Sequence, residues 1–178
     1  ALVIAGAGSG KTRTLTYRVA WLLSQGHPAS SILLLTFTNK AAREMIERVR
    51  ALLPGAVDGI WSGTFHSIGN RILRRHAEVI GWREDFSIMD REDAESMIGA
   101  ILDKEGIRAA DKKFPKAGVL ADMFSYAVNT GAPLGGVVAR KYPYFAGYAE
   151  RIGAVQAAYE GRKREANSFD FDDLLSKT

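Results

Sequence analysis

Three glycines and a lysine–threonine pair lie close together near the start of the chain, in a pattern that suits phosphate. Gly6, Gly8 and Gly10 alternate with small residues and are followed directly by Lys11 and Thr12. Glycine has no Cβ and can adopt positive φ, so successive backbone N–H groups can turn inward around an anion. A lysine supplies a compact charge for the β- and γ-phosphates, and a threonine hydroxyl is a suitable Mg²⁺ ligand. The segment therefore predicts a loop that binds ATP with Mg²⁺.

This loop departs at one position from the common G-x-x-x-x-G-K-S/T pattern, because Ala5 occupies the place of the first glycine. We expect position 5 to tolerate a small side chain. The alternative is an ordinary turn between a strand and a helix, which the register of strand, loop, Gly-Lys-Thr and helix disfavours. The candidate nucleotide-binding residues of the loop are Ala5, Gly6, Ala7, Gly8, Ser9, Gly10, Lys11 and Thr12.

Two later segments carry aromatic and polar residues at the ends of predicted strands, Thr36-Phe-Thr-Asn-Lys40 and Gly63-Thr-Phe-His-Ser67. Ligands of an open parallel sheet gather beyond the carboxyl ends of its strands. An aromatic ring such as Phe37 can stack on a base of single-stranded nucleic acid, while hydroxyl, amide and cationic groups hold phosphate or sugar. The alternatives are that Phe37 packs in the core, that Thr38 or Asn39 caps a helix, and that His66 is structural.

Apolar periodicity predicts an α/β fold. Apolar or nearly apolar runs at Leu2–Ile4, 31–36 and 59–64 predict strands, and each is followed by a pattern of helical period. Strands that alternate with helices imply a parallel sheet covered on both faces.

The pattern becomes helical after Met89. Asp90 is a candidate N-cap, helices are predicted near Val119–Asn129 and from Tyr148 toward Ala166, and a turn is predicted from Gly131 to Gly136. We expect an α/β domain over 1–88, a helical insertion over 89–166, and a return to the α/β domain over 167–178.

Composition narrows the class of protein. The chain has 178 residues, 47% of them hydrophobic, which is enough for a sizeable core, and it contains no cysteine, which argues against a disulfide-built secreted fold. The formal net charge of +4 favours a polyanionic partner. No apolar run approaches the length of a bilayer span, so we expect an intracellular, cytoplasmic protein without a membrane partner. The sequence starts in an apolar run and stops in a helical pattern, and we expect it to be part of a longer protein.

Basic residues occur in several places, and their position matters more than their number. Arg71, Arg74, Arg75 and His76 predict a positive face on the helix that follows the third predicted strand. Charges such as Arg162, Lys163 and Arg164 are expected simply to solvate a helix surface.

Taken together and in this order, four segments resemble the superfamily 1A DNA helicases, the UvrD/PcrA/Rep group. These are the Ala-Gly-Ala-Gly-Ser-Gly-Lys-Thr loop, Thr-Phe-Thr-Asn-Lys-Ala-Ala, Gly-Thr-Phe-His-Ser and Asp-Phe-Asp-Asp-Leu-Leu. The resemblance covers nearly the whole chain and is weakest between Met89 and Ala166. It implies a RecA-like P-loop NTPase domain with an all-helical insertion, the 1A and 1B subdomains of the family.

The resemblance also implies an activity and a set of site residues. The family translocates 3′ to 5′ along single-stranded DNA with ATP and Mg²⁺ and separates the duplex ahead, in DNA repair or replication restart. It implies that Lys11 and Thr12 are catalytic, that Thr12 binds Mg²⁺, and that Arg13 lies near the nucleotide. The residues implied to line the single-strand path are Phe37, Thr38, Asn39, Thr64, Phe65 and His66.

The resemblance further implies that essential parts lie outside these 178 residues. They are the glutamine motif that reads adenine, the Asp–Glu pair, the arginine fingers and the second RecA-like domain, which would be a partner within the parent chain. Phosphoryl transfer needs several such groups at once. We therefore expect the parent to act on junctions of single- and double-stranded DNA, and this portion alone to bind nucleotide weakly and not to unwind DNA.

Other interpretations stay open at this point. Asp170, Asp172 and Asp173 are neighbouring carboxylates that could bind Mg²⁺, but we favour the interpretation in which Asp170 caps a helix. The chain as a whole could be a non-catalytic nucleic-acid-binding remnant of a helicase. A different P-loop enzyme, such as a small-molecule kinase, would not need the loops around Phe37 and His66.

Overall fold

The computed structural model describes residues 2–4 and 6–178. The chain divides into two compact units, Ala1–Ile68 and Gly69–Thr178. The first unit contains α1 (Lys11–Ser24), a short 3₁₀ turn (Ala29–Ser31), β1 (Leu33–Thr36), α2 (Asn39–Leu52) and β2 (Trp61–Thr64), and α3 (Phe65–His76) begins in it. The protein is a mixed, helix-rich α/β chain, as its periodicity predicts.

Strands β1 and β2 pair in parallel, with Leu33 opposite Trp61 and Thr36 opposite Thr64. A parallel pair needs a crossover connection, and α2 lies in that connection. The unit's core consists of side chains from α1, β1, α2 and the loop before β2: Val19, Ala20, Ile32, Leu34, Met45, Val49 and Val57. The strands predicted at 31–36 and 59–64 and the helix between them are therefore confirmed.

The prediction of a buried strand at Leu2–Ile4 is wrong. These three residues have no strand conformation, and their exposed fractions are 88%, 67% and 90%. An apolar run becomes a strand only where its backbone N–H and C=O groups find a ladder. In the described part of the first unit, the ladder involves only β1 and β2.

The second unit is mostly helical. Its elements are the rest of α3, a 3₁₀ turn (Ala77–Ile80), β3 (Ser87–Ile88), α4 (Arg91–Lys104), α5 (Ile107–Ala110), α6 (Ala117–Thr130), α7 (Leu134–Lys141), a 3₁₀ segment (Pro143–Tyr148), α8 (Ala149–Glu165), β4 (Ser168–Phe169) and α9 (Asp173–Ser176). The largest core cluster packs α4, α6, α7 and α8 around residues such as Ile98, Leu120, Met123, Val138 and Ile152.

Strands β3 and β4 flank the helical segment and pair with each other in parallel, Ser87 opposite Ser168 and Ile88 opposite Phe169. The chain thus enters and leaves the helices at adjacent positions. Asp90 begins α4 as predicted, since its carboxylate accepts the backbone N–H of Asp93 and the Asp93 carboxylate accepts the N–H of Asp90.

The predicted turn from Gly131 to Gly136 is too long, because α7 begins at Leu134. Gly131 has φ of 65° and ends α6, and Pro133 occupies the N-cap position of α7. Gly135 and Gly136 then lie in the first turn of a helix, which is held in place by buried Val137 and Val138. Packing of these two valines outweighs the low helix propensity of glycine.

A buried lysine joins α8 to the segment that follows β4. Lys163 is 1% exposed, and its Nζ lies 2.9 Å from Asp170 Oδ2 and 2.7 Å from Asp173 Oδ2. The hydroxyl of Tyr159, one turn earlier on α8, donates to the same Asp170 oxygen at 2.9 Å. The expectation that Lys163 solvates a helix surface is wrong, because it lies on the inward stripe of α8 with Val155 and Tyr159.

Charge pairing decides the protonation of this cluster. Burial opposes the charge of Lys163, but the carboxylates of Asp173 and Asp170 outweigh it and raise the pKa of Lys163 above its usual 10.5. Burial also disfavours the charge of Asp170, yet the Lys163 ammonium holds the pKa of Asp170 below its ordinary range. The contribution of Lys163 to stability is therefore complete below pH 10.5 and is lost as the pH rises through its folded pKa.

The acidic segment has structural partners for all three of its carboxylates. Asp170 accepts the backbone N–H of Asp173, the first residue of α9, at 2.9 Å, although the N-cap position of this helix belongs to Asp172. Asn129 of α6 donates to Asp172 Oδ1 at 2.7 Å. These carboxylates bind two lysines, a tyrosine, an asparagine and backbone N–H groups, which explains their clustering without a Mg²⁺ ion.

We predict that Lys163→Met destabilises the second unit by about 3–5 kcal/mol, because the partly buried Asp170 loses its counter-charge and the buried Asp173 keeps only the Lys177 ammonium. The measurement is hydrogen–deuterium exchange of the α8 amides at neutral pH, which gives the free energy of opening of that helix.

Arg162→Met is the matched control, because Arg162 is the preceding residue of the same helix and is exposed. It should change the opening free energy by less than about 0.5 kcal/mol. Equal effects of the two variants would show that Lys163 contributes no more than a surface charge.

Candidate nucleotide and nucleic-acid site

The glycine-rich loop leads directly into α1. Gly8 and Gly10 have φ of 74° and 85°, in the left-handed region that glycine adopts without strain. Gly10 is the N-cap residue of α1, so no side chain caps the first N–H groups of this helix. A helix N-terminus without a side-chain cap, preceded by such a loop, is a favourable place for an anion.

Side chains of the loop fold back over it. Lys11 Nζ donates to the carbonyl of Gly6 at 2.8 Å, and the hydroxyl of Ser9 donates to the same oxygen at 2.7 Å. The ammonium group therefore lies across the loop, beside the start of α1. Thr12 is exposed in the first turn of that helix. Ala5, which is also predicted to bind nucleotide, lies outside the described residues. Ala7 lies between Gly6 and Gly8 and is exposed.

Further along α1, the loop opens into a shallow depression. It is lined by Gly8, Ser9, Gly10, Arg13, Thr14 and Tyr17. Arg13 is thus placed beside the loop. Tyr17 is a member of this surface that the sequence analysis missed, and its position one turn after Arg13 on the same helix was the available signal.

The two predicted DNA loops meet through their aromatic residues. Phe37 follows β1 and is 94% exposed, so the alternative in which it packs in the core is wrong. Phe65 follows β2, is 46% exposed, and its ring centroid lies 6.0 Å from that of Phe37 at an interplanar angle of 49°. An exposed pair of tilted rings at the ends of two parallel strands offers apolar faces to a planar ligand.

Threonines beside each aromatic residue begin the next helix. Thr38 Oγ1 accepts the backbone N–H of Ala41 at 3.1 Å and caps α2, which confirms the capping alternative for Thr38. Thr64 Oγ1 accepts the N–H of Ser67 at 3.2 Å, at the start of α3. Both loops therefore have the same design, in which a strand ends and a threonine caps the first turn of a helix.

The remaining predicted residues lie on the same exposed helix starts. Asn39 is the first residue of α2, and His66 is the second residue of α3 and makes contacts within the chain. Of the basic residues later on α3, Arg74 donates to the carbonyl of Glu84 and lies 4.0 Å from the ring centroid of Phe86, so its role is at least partly structural.

Comparison with known proteins identifies the family. The family model described as the UvrD/REP helicase N-terminal domain matches residues 1–178. The chain therefore belongs to the UvrD/REP helicase N-terminal domain family, as its four segments predict. None of the helices described is sufficiently long and apolar to span a membrane.

Several curated relatives are ATP-dependent DNA helicases named PcrA. The chain is 42% identical to PcrA of Bacillus subtilis strain 168 over 180 residues, which cover 99% of this chain and 23% of the relative. It is 38% identical to PcrA of Staphylococcus aureus strain Mu50 over 179 residues, 99% of this chain and 24% of the relative. The chain spans about a quarter of the length of these relatives.

Gly63 offers a test of how the second loop is built. A Cβ added to Gly63 would overlap Ser67 Oγ, which donates to the Thr64 carbonyl at 2.9 Å. We predict that Gly63→Ala lowers the free energy of unfolding by about 1 kcal/mol, because the Ser67 hydroxyl must give up this hydrogen bond. Thermal unfolding followed by circular dichroism measures the change.

The double-mutant cycle with Ser67→Ala supplies the control. Gly63→Ala should cost clearly less in the Ser67→Ala background, with a coupling of at least about 0.5 kcal/mol. If the cost is the same in both backgrounds, the overlap with Ser67 does not determine the residue at position 63.

Proposed function

We propose that this chain is the N-terminal, ATP-binding part of an ATP-dependent 3′ to 5′ DNA helicase. In this proposal, ATP with Mg²⁺ binds at the glycine-rich loop, and single-stranded DNA binds across the loops that follow β1 and β2. Strands β1 and β2 belong to a RecA-like parallel sheet, and residues 89–166 are inserted into it between 1–88 and 167–178. The adjacent pairing of β3 and β4 on either side of the helices supports this division.

The phosphate part of the proposal rests on the start of α1. The left-handed Gly8 and Gly10 and the absence of a side-chain cap leave the backbone suited to phosphate oxygens. Lys11, whose ammonium lies across the loop, supplies the positive charge, and the Thr12 hydroxyl is the oxygen ligand for Mg²⁺. The bound metal would neutralise phosphate charge, and the residues of this chain would hold and orient the nucleotide.

The single observation that carries the DNA part is the exposed Phe37–Phe65 pair. Exposing a phenylalanine almost completely is unfavourable unless a ligand or partner covers it, and bases stack on aromatic faces without regard to sequence. Asn39 and His66, with Thr38 and Thr64, stand beside the rings at two helix starts, where phosphate and sugar contacts are favourable. The net charge of +4 agrees with a polyanionic ligand.

We also propose that these residues alone do not unwind DNA. Unwinding in this family requires groups that the resemblance places outside the 178 residues, and phosphoryl transfer depends on several charged groups acting together. The PcrA relatives that are named ATP-dependent DNA helicases are about four times as long as this chain.

The first test addresses the aromatic pair. Phe37→Ala should weaken binding of a fluorescein-labelled oligo-dT by roughly 5- to 150-fold, because base stacking is worth about 1–3 kcal/mol per base. Fluorescence anisotropy at low salt measures the affinity, since the phosphate contacts weaken as salt rises.

Phe171→Ala is the matched control, because Phe171 is 50% exposed, close to the value for Phe65, and lies in the other unit. It should leave the affinity within twofold of the unchanged chain. Wild-type affinity in Phe37→Ala, or no binding by the unchanged chain at low salt, would overturn the proposed DNA surface.

The second test separates nucleotide from DNA. Lys11→Ala should reduce the affinity for ATP–Mg²⁺ at least tenfold, because the ammonium is the charge closest to the loop, while oligo-dT binding stays within twofold. Isothermal titration calorimetry gives the first affinity and anisotropy the second.

Lys112→Ala, in an exposed loop of the second unit, is the control and should change neither affinity. If the unchanged chain binds oligo-dT but not ATP, it is instead a non-catalytic nucleic-acid-binding module. If Lys11→Ala binds ATP as tightly as the unchanged chain, the loop assignment fails.

A further inference from the structure

Arg13 and Tyr17 form a contact on the surface of α1. The guanidinium carbon of Arg13 lies 5.4 Å from the centroid of the Tyr17 ring, within the range of a cation–π interaction. The two residues are four apart on the helix, which places their side chains on the same face. Tyr17 is 50% exposed, so its ring supports Arg13 without being part of the core.

The same pair lines the depression beside the glycine-rich loop. Its lining residues come from the loop, as Gly8, Ser9 and Gly10, and from α1, as Arg13, Thr14 and Tyr17. From residue 13 to residue 17 the helix rises by about 6 Å. A ligand that starts on the loop and extends along this surface therefore meets phosphate-binding groups first and a planar cation backed by an aromatic ring next.

We propose that Tyr17 is a positioning residue for the base of a bound nucleoside triphosphate. Its ring holds the Arg13 guanidinium so that the opposite face of that plane can stack on the base, while the phosphates lie on the loop. This inference rests on the proposed nucleotide site. It predicts that the site distinguishes a nucleotide from a polyphosphate that carries no base.

The chemistry of the two side chains suits this role. A guanidinium is planar and weakly hydrated, and it stacks on aromatic faces, which lysine cannot do. A free arginine has many rotamers, and ordering it on binding costs entropy. A ring already in contact with the guanidinium reduces this cost before the base arrives, so Tyr17 contributes to affinity without contacting the phosphates.

Stability of the fold does not explain the contact. The buried residues of α1 are Thr16, Val19 and Ala20, and Tyr17 is not among them. An exposed cation–π pair contributes little to folding. Replacing the Tyr17 ring should therefore leave the fold intact, which makes the role testable by binding.

The experiment compares ATP with inorganic tripolyphosphate, both with Mg²⁺, by isothermal titration calorimetry. Tyr17→Leu should weaken ATP binding about two- to fivefold and leave tripolyphosphate binding unchanged. Tyr17→Phe keeps the ring and should bind both probes as the unchanged chain does. Tyr126→Leu is the control, because Tyr126 is 41% exposed and has its own cation–π contact with Lys141 in the other unit.

Three results would overturn the inference: unchanged ATP affinity in Tyr17→Leu, equal losses for ATP and tripolyphosphate, or a loss in Tyr17→Phe as large as in Tyr17→Leu. Failure of the proposed nucleotide site itself is a different result, in which the unchanged chain binds neither probe. If the unchanged chain binds tripolyphosphate as tightly as ATP, the phosphate loop stands and the base contact is refuted.

Discussion

The parallel register between β1 and β2 is the constraint on which the candidate DNA surface depends. Thr36 lies opposite Thr64, so the next residue of each chain segment, Phe37 and Phe65, leaves the ladder at the same level. Their rings meet for that reason. Strands of four residues need packing support to hold this register, and α2 packs against both of them through residues such as Met45 and Val49.

In the second unit, the buried charge of Lys163 fixes how two segments of the chain lie against each other. Lys163 lies where an apolar residue would continue the inward stripe of α8, and it contacts two carboxylates from the segment after β4. Taking such a group out of water is costly, so a buried ion pair is retained more for the arrangement it enforces than for the stability it adds. Here the arrangement is the attachment of the acidic segment to the end of the helical segment. The Asp170 and Asp173 carboxylates thereby pair with Lys163, and they also accept from Tyr159, Lys177 and backbone N–H groups.

Much of the fold follows from apolar periodicity, and the errors have specific physical causes. Leu2–Ile4 has the composition of a buried strand, but composition cannot supply the neighbouring ladder that a strand requires. Helix α7 escaped prediction because its first turn contains Gly135 and Gly136, and the buried Val137 and Val138 that hold it are too few to form a period. Lys163 was predictable in principle from its place on the stripe of Val155 and Tyr159. Exposure of Phe37 was not, because an aromatic residue after a strand is equally compatible with the core.

The structure also shows that the two alternatives for Thr38 are compatible with each other. From the sequence, capping a helix and binding DNA were competing roles for Thr38. A hydroxyl has one donor and two acceptor positions, and the cap uses an acceptor position, since Thr38 Oγ1 receives the N–H of Ala41. Thr64 Oγ1 receives the N–H of Ser67 in the same way. Because phosphate oxygens are acceptors, a threonine that caps a helix keeps the donor that such a ligand needs, and the cap fixes it at the positive end of the helix. Capping therefore does not argue against the nucleic-acid role of these residues, and it places the hydroxyl where that role requires it.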